Sequence, residues 1–128
     1  MDPKAGILHV EDDRSLQKLV RAALEQLGGY TVRTATSGSE ALALAAEAAP
    51  RLLLLDLDLP GMSGIATLRA LRELPGLAEV PAVFLTAARD PAMLAELGAL
   101  GVREVVHKPF RPRLLVQAVD RVLAGESR

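Results

Sequence analysis

Cysteine is absent from this chain. A disulfide framework and a thiolate metal site are both excluded on that count, and a reducing compartment suits the composition. Aromatic residues are nearly missing as well: Tyr30, Phe84 and Phe110 are the only ones. A platform of rings for stacking single-stranded bases is therefore not expected. Charge of one sign is lacking too, since 15 basic and 16 acidic residues leave a formal net charge of −1. Without a clustered basic face, nucleic-acid binding by this domain has no electrostatic footprint. No apolar stretch approaches the roughly 20 residues needed to span a bilayer, and Met1-Asp2-Pro3-Lys4-Ala5 lacks the charged-then-apolar pattern of a signal peptide. These absences predict a soluble, cytoplasmic protein that does not engage a membrane.

What is present is aliphatic. Half of the 128 residues are hydrophobic, enough for one ordinary domain with a proper core. That core must be built of Leu, Val and Ala. One domain is expected over residues 1–128, with its core from about 5 to 124. The chain ends shortly after its last helical pattern, so it reads either as a free-standing domain or as one excised from something longer.

Apolar segments and helical patterns alternate. Strands are expected over Gly6 to Val10, Thr31 to Ala35, Leu52 to Asp56, Pro81 to Thr86 and Glu104 to His107. Leu16, Leu19, Val20, Ala23, Leu24 and Leu27 recur at helical spacing, and Gly28-Gly29 should stop that helix. Ser37-Gly38-Ser39-Glu40 has the spacing of a capping box, opening a helix to about Ala48. A third helix runs from Ser63 to Arg72. Asp90-Pro91 fits a cap followed by proline at the first helical position, and Gly98 or Gly101 should end that fourth helix. The fifth opens near Pro112 and reaches about Ala124. Five such units predict an α/β fold, a flavodoxin-like doubly wound five-stranded parallel sheet in the order 2-1-3-4-5 with five helices on its two faces.

The third strand carries the main chemical signal. Leu52 to Leu55 is an unbroken leucine run bounded by Pro50 and Pro60-Gly61, as expected of a strand buried on both faces. Asp56 ends it, at the rim where open α/β sheets place their ligands. The first strand runs into Glu11-Asp12-Asp13 and the fifth into Lys108-Pro109. The predicted strand order brings these ends together, so Glu11, Asp12 and Asp56 would face Lys108. Three carboxylates against one ammonium repel one another unless protonated or metal-bound. Hard oxygen donors without His or Cys favour Mg²⁺. An aspartate beside Mg²⁺ and a lysine can act as a nucleophile on a phosphoryl group, and Thr86 at the end of the fourth strand could bond a phosphate oxygen. Each residue also has a plainer role open to it. Asp56 could be a turn residue, the acidic triplet could complement a helix N-terminus, Lys108 could be solvated and Thr86 could cap a helix. His9 is expected to be packed in its strand, His107 to lie at the surface or rim, and Arg111 and Arg113 to form a solvated helix start.

Four segments in order, Ile7 to Asp13, Asp56 to Gly64, Pro81 to Ala87 and Lys108 to Phe110, resemble the receiver domain of two-component response regulators, the CheY-like superfamily. The resemblance spans about Ala5 to Leu123. It implies a phosphoacceptor signalling module of a phosphorelay in which Asp56 takes a phosphoryl group from a histidine kinase or phosphotransfer protein. It also implies that Asp12 and Asp56 hold Mg²⁺ by their carboxylates, Glu11 through water and Asp58 by its backbone carbonyl. Thr86, Ala87 and Lys108 would contact the phosphoryl group, and the bond before Pro109 would be cis, a geometry of modest cost only before proline. Such a module catalyses only its own phosphorylation and dephosphorylation. Its output face, made by the fourth helix, fifth strand and fifth helix, would meet a downstream effector or output domain, or a second copy as a homodimer.

The chain departs from the family pattern at three places. Asp13 reads as a helix cap rather than a member of the acid pair. Ser63 stands where Asp or Asn is common. Val105 occupies the place of the mobile switch aromatic, three residues before the lysine, and valine has no ring to swing. Two other functions compete. Asp56-Leu57-Asp58 after an apolar strand also resembles the opening motif of haloacid-dehalogenase-type phosphatases, although that motif belongs to a first strand and Pro60 departs from it. A phosphorylation-inert receiver-like scaffold is the other. A flavin binder fits less well, because the acidic loop after the first strand would repel a phosphate.

Overall fold

The computed structural model of the protein describes residues 6–87 and 90–125. Five strands form one sheet: β1 (Ile7–Val10), β2 (Val32–Ala35), β3 (Leu52–Asp56), β4 (Ala82–Thr86) and β5 (Val102–His107). Their order is β2-β1-β3-β4-β5 and every pairing is parallel. The helices are α1 (Arg14–Ala22), α2 (Gly38–Glu47), α3 (Gly64–Arg72), α4 (Pro91–Ala99) and α5 (Pro112–Leu123). The flavodoxin-like topology expected from the alternating pattern is the one observed.

Alternation of side chains along each strand divides the core into two layers. Leu8, Val10, Leu53, Leu55, Ala82 and Phe84 point to the face covered by α2, α3 and α4. Ile7, Leu52, Leu54, Val83 and Leu85 point to the face covered by α1 and α5. All five residues of β3 are buried, which is why its leucine run needs no polar alternation. Each fully buried leucine contributes about 1.5–3 kcal/mol relative to exposure.

Helix starts follow the expected chemistry. Asp13, Ser37, Ser63 and Asp90 are N-caps whose side chains accept from the backbone N–H groups of Leu16, Glu40, Ala66 and Ala92. Asp13 is thus the cap that the sequence suggested. Only half of the expected capping box forms at α2, because the Glu40 carboxylate accepts from the N–H and hydroxyl of Thr36 rather than from the N–H of Ser37. α4 ends at Ala99, and Gly101, at φ +79°, takes the left-handed turn after it.

Two expectations need correction. The first helix is not one regular helix to Gly28: α1 stops at Ala22 and a π-helical turn follows over Ala23–Leu27. The extra residue in that turn keeps Ala23 and Leu24 buried while the chain is redirected into Gly28-Gly29. β5 begins at Val102 rather than Glu104, because the ladder with β4 is shifted between Ala82 and Val83 and skips Arg103. His107 ends β5 at the rim, one of the two places expected for it, half-buried with its Nδ1 enclosed.

Candidate functional site

The site lies at the C-terminal rim, where β1 and β3 run side by side. Val10 pairs with Leu55, so the next residues, Glu11 and Asp56, end the two strands at the same level. A hydrogen bond from the Glu11 N–H to the Ala35 carbonyl (2.9 Å) extends the β1–β2 pairing to the rim. Glu11 and Asp56 are buried and Asp12 is exposed, with carboxylate oxygens of all three within 4.8 Å of one another. Asp56 Oδ1 accepts from the Asp58 N–H (3.1 Å), while the Asp58 side chain faces solvent.

Lys108 reaches this cluster from the far side of β4. Its N–H donates to the Thr86 carbonyl (2.9 Å), and its Nζ donates to Asp56 Oδ1 (3.1 Å) and lies 4.0 Å from Glu11 Oε1. The Lys108-Pro109 peptide is cis, as the resemblance implied. Thr86 is fully buried at the end of β4, not a helix cap, and Ala87 after it is exposed.

Electrostatics fit a cation. Burial pushes the Glu11 carboxyl up to about 7, with the N–H of Asp13 opposing the shift and the Asp56 charge adding to it. Glu11 Oε2 accepts from that N–H (3.2 Å), but Oε1 is buried without a hydrogen-bond partner. An orphaned buried oxygen beside two more carboxylates, with no nitrogen or sulfur donor among them, suits a hard divalent ion.

Two supports were not anticipated. Gly64, the first residue of α3, lies so close to β3 that a Cβ there would stand 2.4 Å from the Asp56 carbonyl oxygen. Only glycine lets α3 start against the acceptor strand; its place in the segment Asp56 to Gly64 was visible, but the close approach was not. The Gln17 side-chain amide donates to the Glu11 carbonyl, tying α1 to the end of β1. His9 is fully buried, as expected, with neither ring nitrogen hydrogen-bonded, and burial lowers its pKa to about 3. Val105 is half-buried and lines a groove of about 280 Å³ between α4 and β5.

Residues 7–120 match the family model described as the response regulator receiver domain. The chain is a receiver domain of the two-component response regulator family. It is 41% identical to the DNA-binding response regulator MtrA of Mycolicibacterium smegmatis over 88% of this chain and 48% of that protein. It is 35% identical to the transcriptional activator protein ExaE of Pseudomonas putida over 95% of this chain and 56% of that protein. The receiver thus spans about half the length of these curated relatives. Among solved structures, the chemotaxis protein CheY4 of Vibrio cholerae superposes with a TM-score of 0.87 at 34% identity, covering 92% of this chain and 98% of that one. Membership places the protein among signalling modules rather than classical enzymes. Among the described residues, no helix is long and apolar enough to cross a membrane.

Proposed function

We propose that Asp56 is the phosphoacceptor of this receiver and that a histidine kinase or phosphotransfer protein supplies the phosphoryl group. The observation that carries this reading is the ammonium of Lys108 held 3.1 Å from Asp56 Oδ1 while Glu11 and Asp12 crowd the same aspartate. A carboxylate oxygen of Asp56 attacks phosphorus as the phosphorus–nitrogen bond of the donor imidazole breaks, and the departing imidazole takes a proton from solvent. Lys108 offsets charge on the transferring oxygens, and Thr86 with Ala87 contacts them from the end of β4.

Asp12 and Asp56 would hold Mg²⁺, with the Asp58 carbonyl and Glu11 as the further residues that would serve it. The ion, when bound, neutralises the clustered carboxylates and the phosphoryl charge. Asp58, exposed beside the acceptor, lies where it can influence the rate of hydrolysis. The domain acts on no other substrate; its only chemistry is gain and loss of its own phosphoryl group. Phosphorylation adds about −1.5 to −2 charge at neutral pH, and a differential stabilisation of about 1.4 kcal/mol shifts a two-state population tenfold. The face of α4, β5 and α5 carries that shift to an effector, an output domain or a second copy. Val105 leaves the face without the ring on which threonine–aromatic coupling depends.

Treatment of the chain with acetyl phosphate and Mg²⁺ should add one phosphoryl group, read by mass spectrometry, and Asp56→Asn should remove that gain. An unmodified wild-type chain, or a gain that survives in Asp56→Asn, refutes the assignment. Rapid multiple-turnover hydrolysis of phosphate esters would instead indicate a phosphatase.

A further inference from the structure

Of the three carboxylates gathered at the rim, Asp12 has the least packing around it. Glu11 and Asp56 are buried, whereas Asp12 is exposed, so its place depends on the backbone that carries it. That backbone has just left the sheet. The register of β1 against β2 and β3 ends at Val10, and the Glu11 N–H then bonds the Ala35 carbonyl. The peptide joining Glu11 to Asp12 comes next. It moves as one plane, with one acidic residue on each side, so its orientation sets where both carboxylates can reach.

The carbonyl of that peptide accepts from the Gln17 side-chain amide. Gln17 is half-buried in the first turn of α1. Its own N–H donates to the Asp13 carbonyl (2.9 Å), and the helix is seated on the sheet by Leu16 and Val20. The amide thus carries the rigidity of a packed helix to a peptide beyond the strand ladder. On the other side of Asp12, the Asp13 N–H donates to Glu11 Oε2 (3.2 Å). Asp12 is bracketed by two fixed peptides, the first of them held by Gln17. Loss of that hold lets the Glu11–Asp12 peptide rotate and swings the exposed carboxylate away from Asp56. Donors already in place bind an ion more tightly than donors that must be ordered on binding.

We propose that Gln17 is a positioning residue for the metal pocket: its amide clamps the Glu11–Asp12 peptide and aims Asp12 at Asp56 before Mg²⁺ arrives. Gln17 itself touches neither the ion nor the phosphoryl group. This role rests on the reading that Asp12 and Asp56 hold Mg²⁺.

Calorimetric titration of the full chain with Mg²⁺, without a phosphodonor, tests it. Gln17→Met keeps the length of the side chain and removes the donor. Mg²⁺ should bind this variant about tenfold more weakly than the wild type, the lower end of what loss of a group supporting a metal ligand costs. Gln17→Ala should lose as much. Lys18→Met, at the neighbouring exposed position of α1, removes only a positive charge and should not weaken binding. Labelling of Asp56 by acetyl phosphate should be slow in Gln17→Met at low Mg²⁺ and return to the wild-type rate at saturating Mg²⁺. An unchanged Mg²⁺ affinity in Gln17→Met, an equal loss in Lys18→Met, or labelling that stays slow at saturating Mg²⁺ would overturn the role of Gln17 and leave the metal assignment intact. A wild-type chain that binds no Mg²⁺ would overturn both.

Discussion

β3 and β5 lie two places apart in one sheet and end at the same functional rim, yet they are built to opposite specifications. β3 is buried along its whole length between two helical layers. β5 is an edge strand, with one residue exposed, five half-buried and a shift in its ladder. The strand that carries the acceptor is fixed by packing on both sides, so Asp56 stays in one place. The strand that carries Lys108 has fewer neighbours to hold it. The difference teaches that a sheet can keep its chemistry rigid at the centre and leave its periphery free to respond.

Core truncation breaks the contrast most severely. Leu54→Ala, in the centre of β3, should cost about 2–5 kcal/mol, and Val105→Ala on β5 distinctly less. Urea denaturation of the two variants measures this, and equal losses would show that the strands are not differently held.

Acid titration comes next and separates the two buried groups of β1 and its rim. The folded pKa of His9 lies below its ordinary value, at about 3. The unfolded chain therefore binds more protons between about pH 6.5 and 3, and this group's contribution to stability falls as the pH falls through that window. Glu11 has the opposite sign. Its folded pKa is raised to about 7 from 4.5, so its contribution rises as the pH falls from 7 to 4.5. The two oppose each other down to about pH 4.5, below which His9 acts alone. His9→Leu should abolish much of the acid loss and leave stability rising as the pH drops from 7 to 4.5 in metal-free buffer. Added Mg²⁺ should reverse that rise, because it requires ionised carboxylates. Chemical denaturation across pH checks both signs.

Gly64→Ala sharpens the contrast at the acceptor itself. Alanine ordinarily favours a helix over glycine by about 1 kcal/mol, but here its methyl would strike the Asp56 carbonyl. Overpacking of about 1–3 kcal/mol should prevail, with slower labelling of Asp56, read by thermal unfolding and mass spectrometry. The smallest effect belongs to the outer strand. Arg121 pairs with Glu104 of β5 at 2.8 Å and both are partly exposed. Arg121→Ala should cost about 0.2–1 kcal/mol, diminishing with added salt.

Much of this was legible in the residues because the signals were local. The leucine run of β3 between two prolines, the Asp90-Pro91 start of α4 and the Asp13 cap each follow from a few neighbouring side chains. The grouping of Glu11, Asp12, Asp56 and Lys108 followed from strand order alone. What escaped depends on distance in space. Leu24 and Leu27 satisfy helical spacing whether the turn is α or π, so one inserted residue leaves the periodicity intact. The skipped Arg103 is a property of how β5 meets β4, and the enclosure of His107 Nδ1 depends on neighbours from other elements. The closeness of Gly64 to Asp56 needs the folded backbone.

Tyr30 offers a closing consequence. It is the chain's only tyrosine and there is no tryptophan. Its phenol donates to the Asp120 carboxylate of α5, with burial and that neighbouring charge raising its pKa well above the usual value. Near-ultraviolet signals of the intact protein are therefore dominated by a single chromophore anchored to the last helix. Intrinsic emission excited near the tyrosine maximum becomes a label-free gauge of whether α5 is seated, with no dye or engineered probe required.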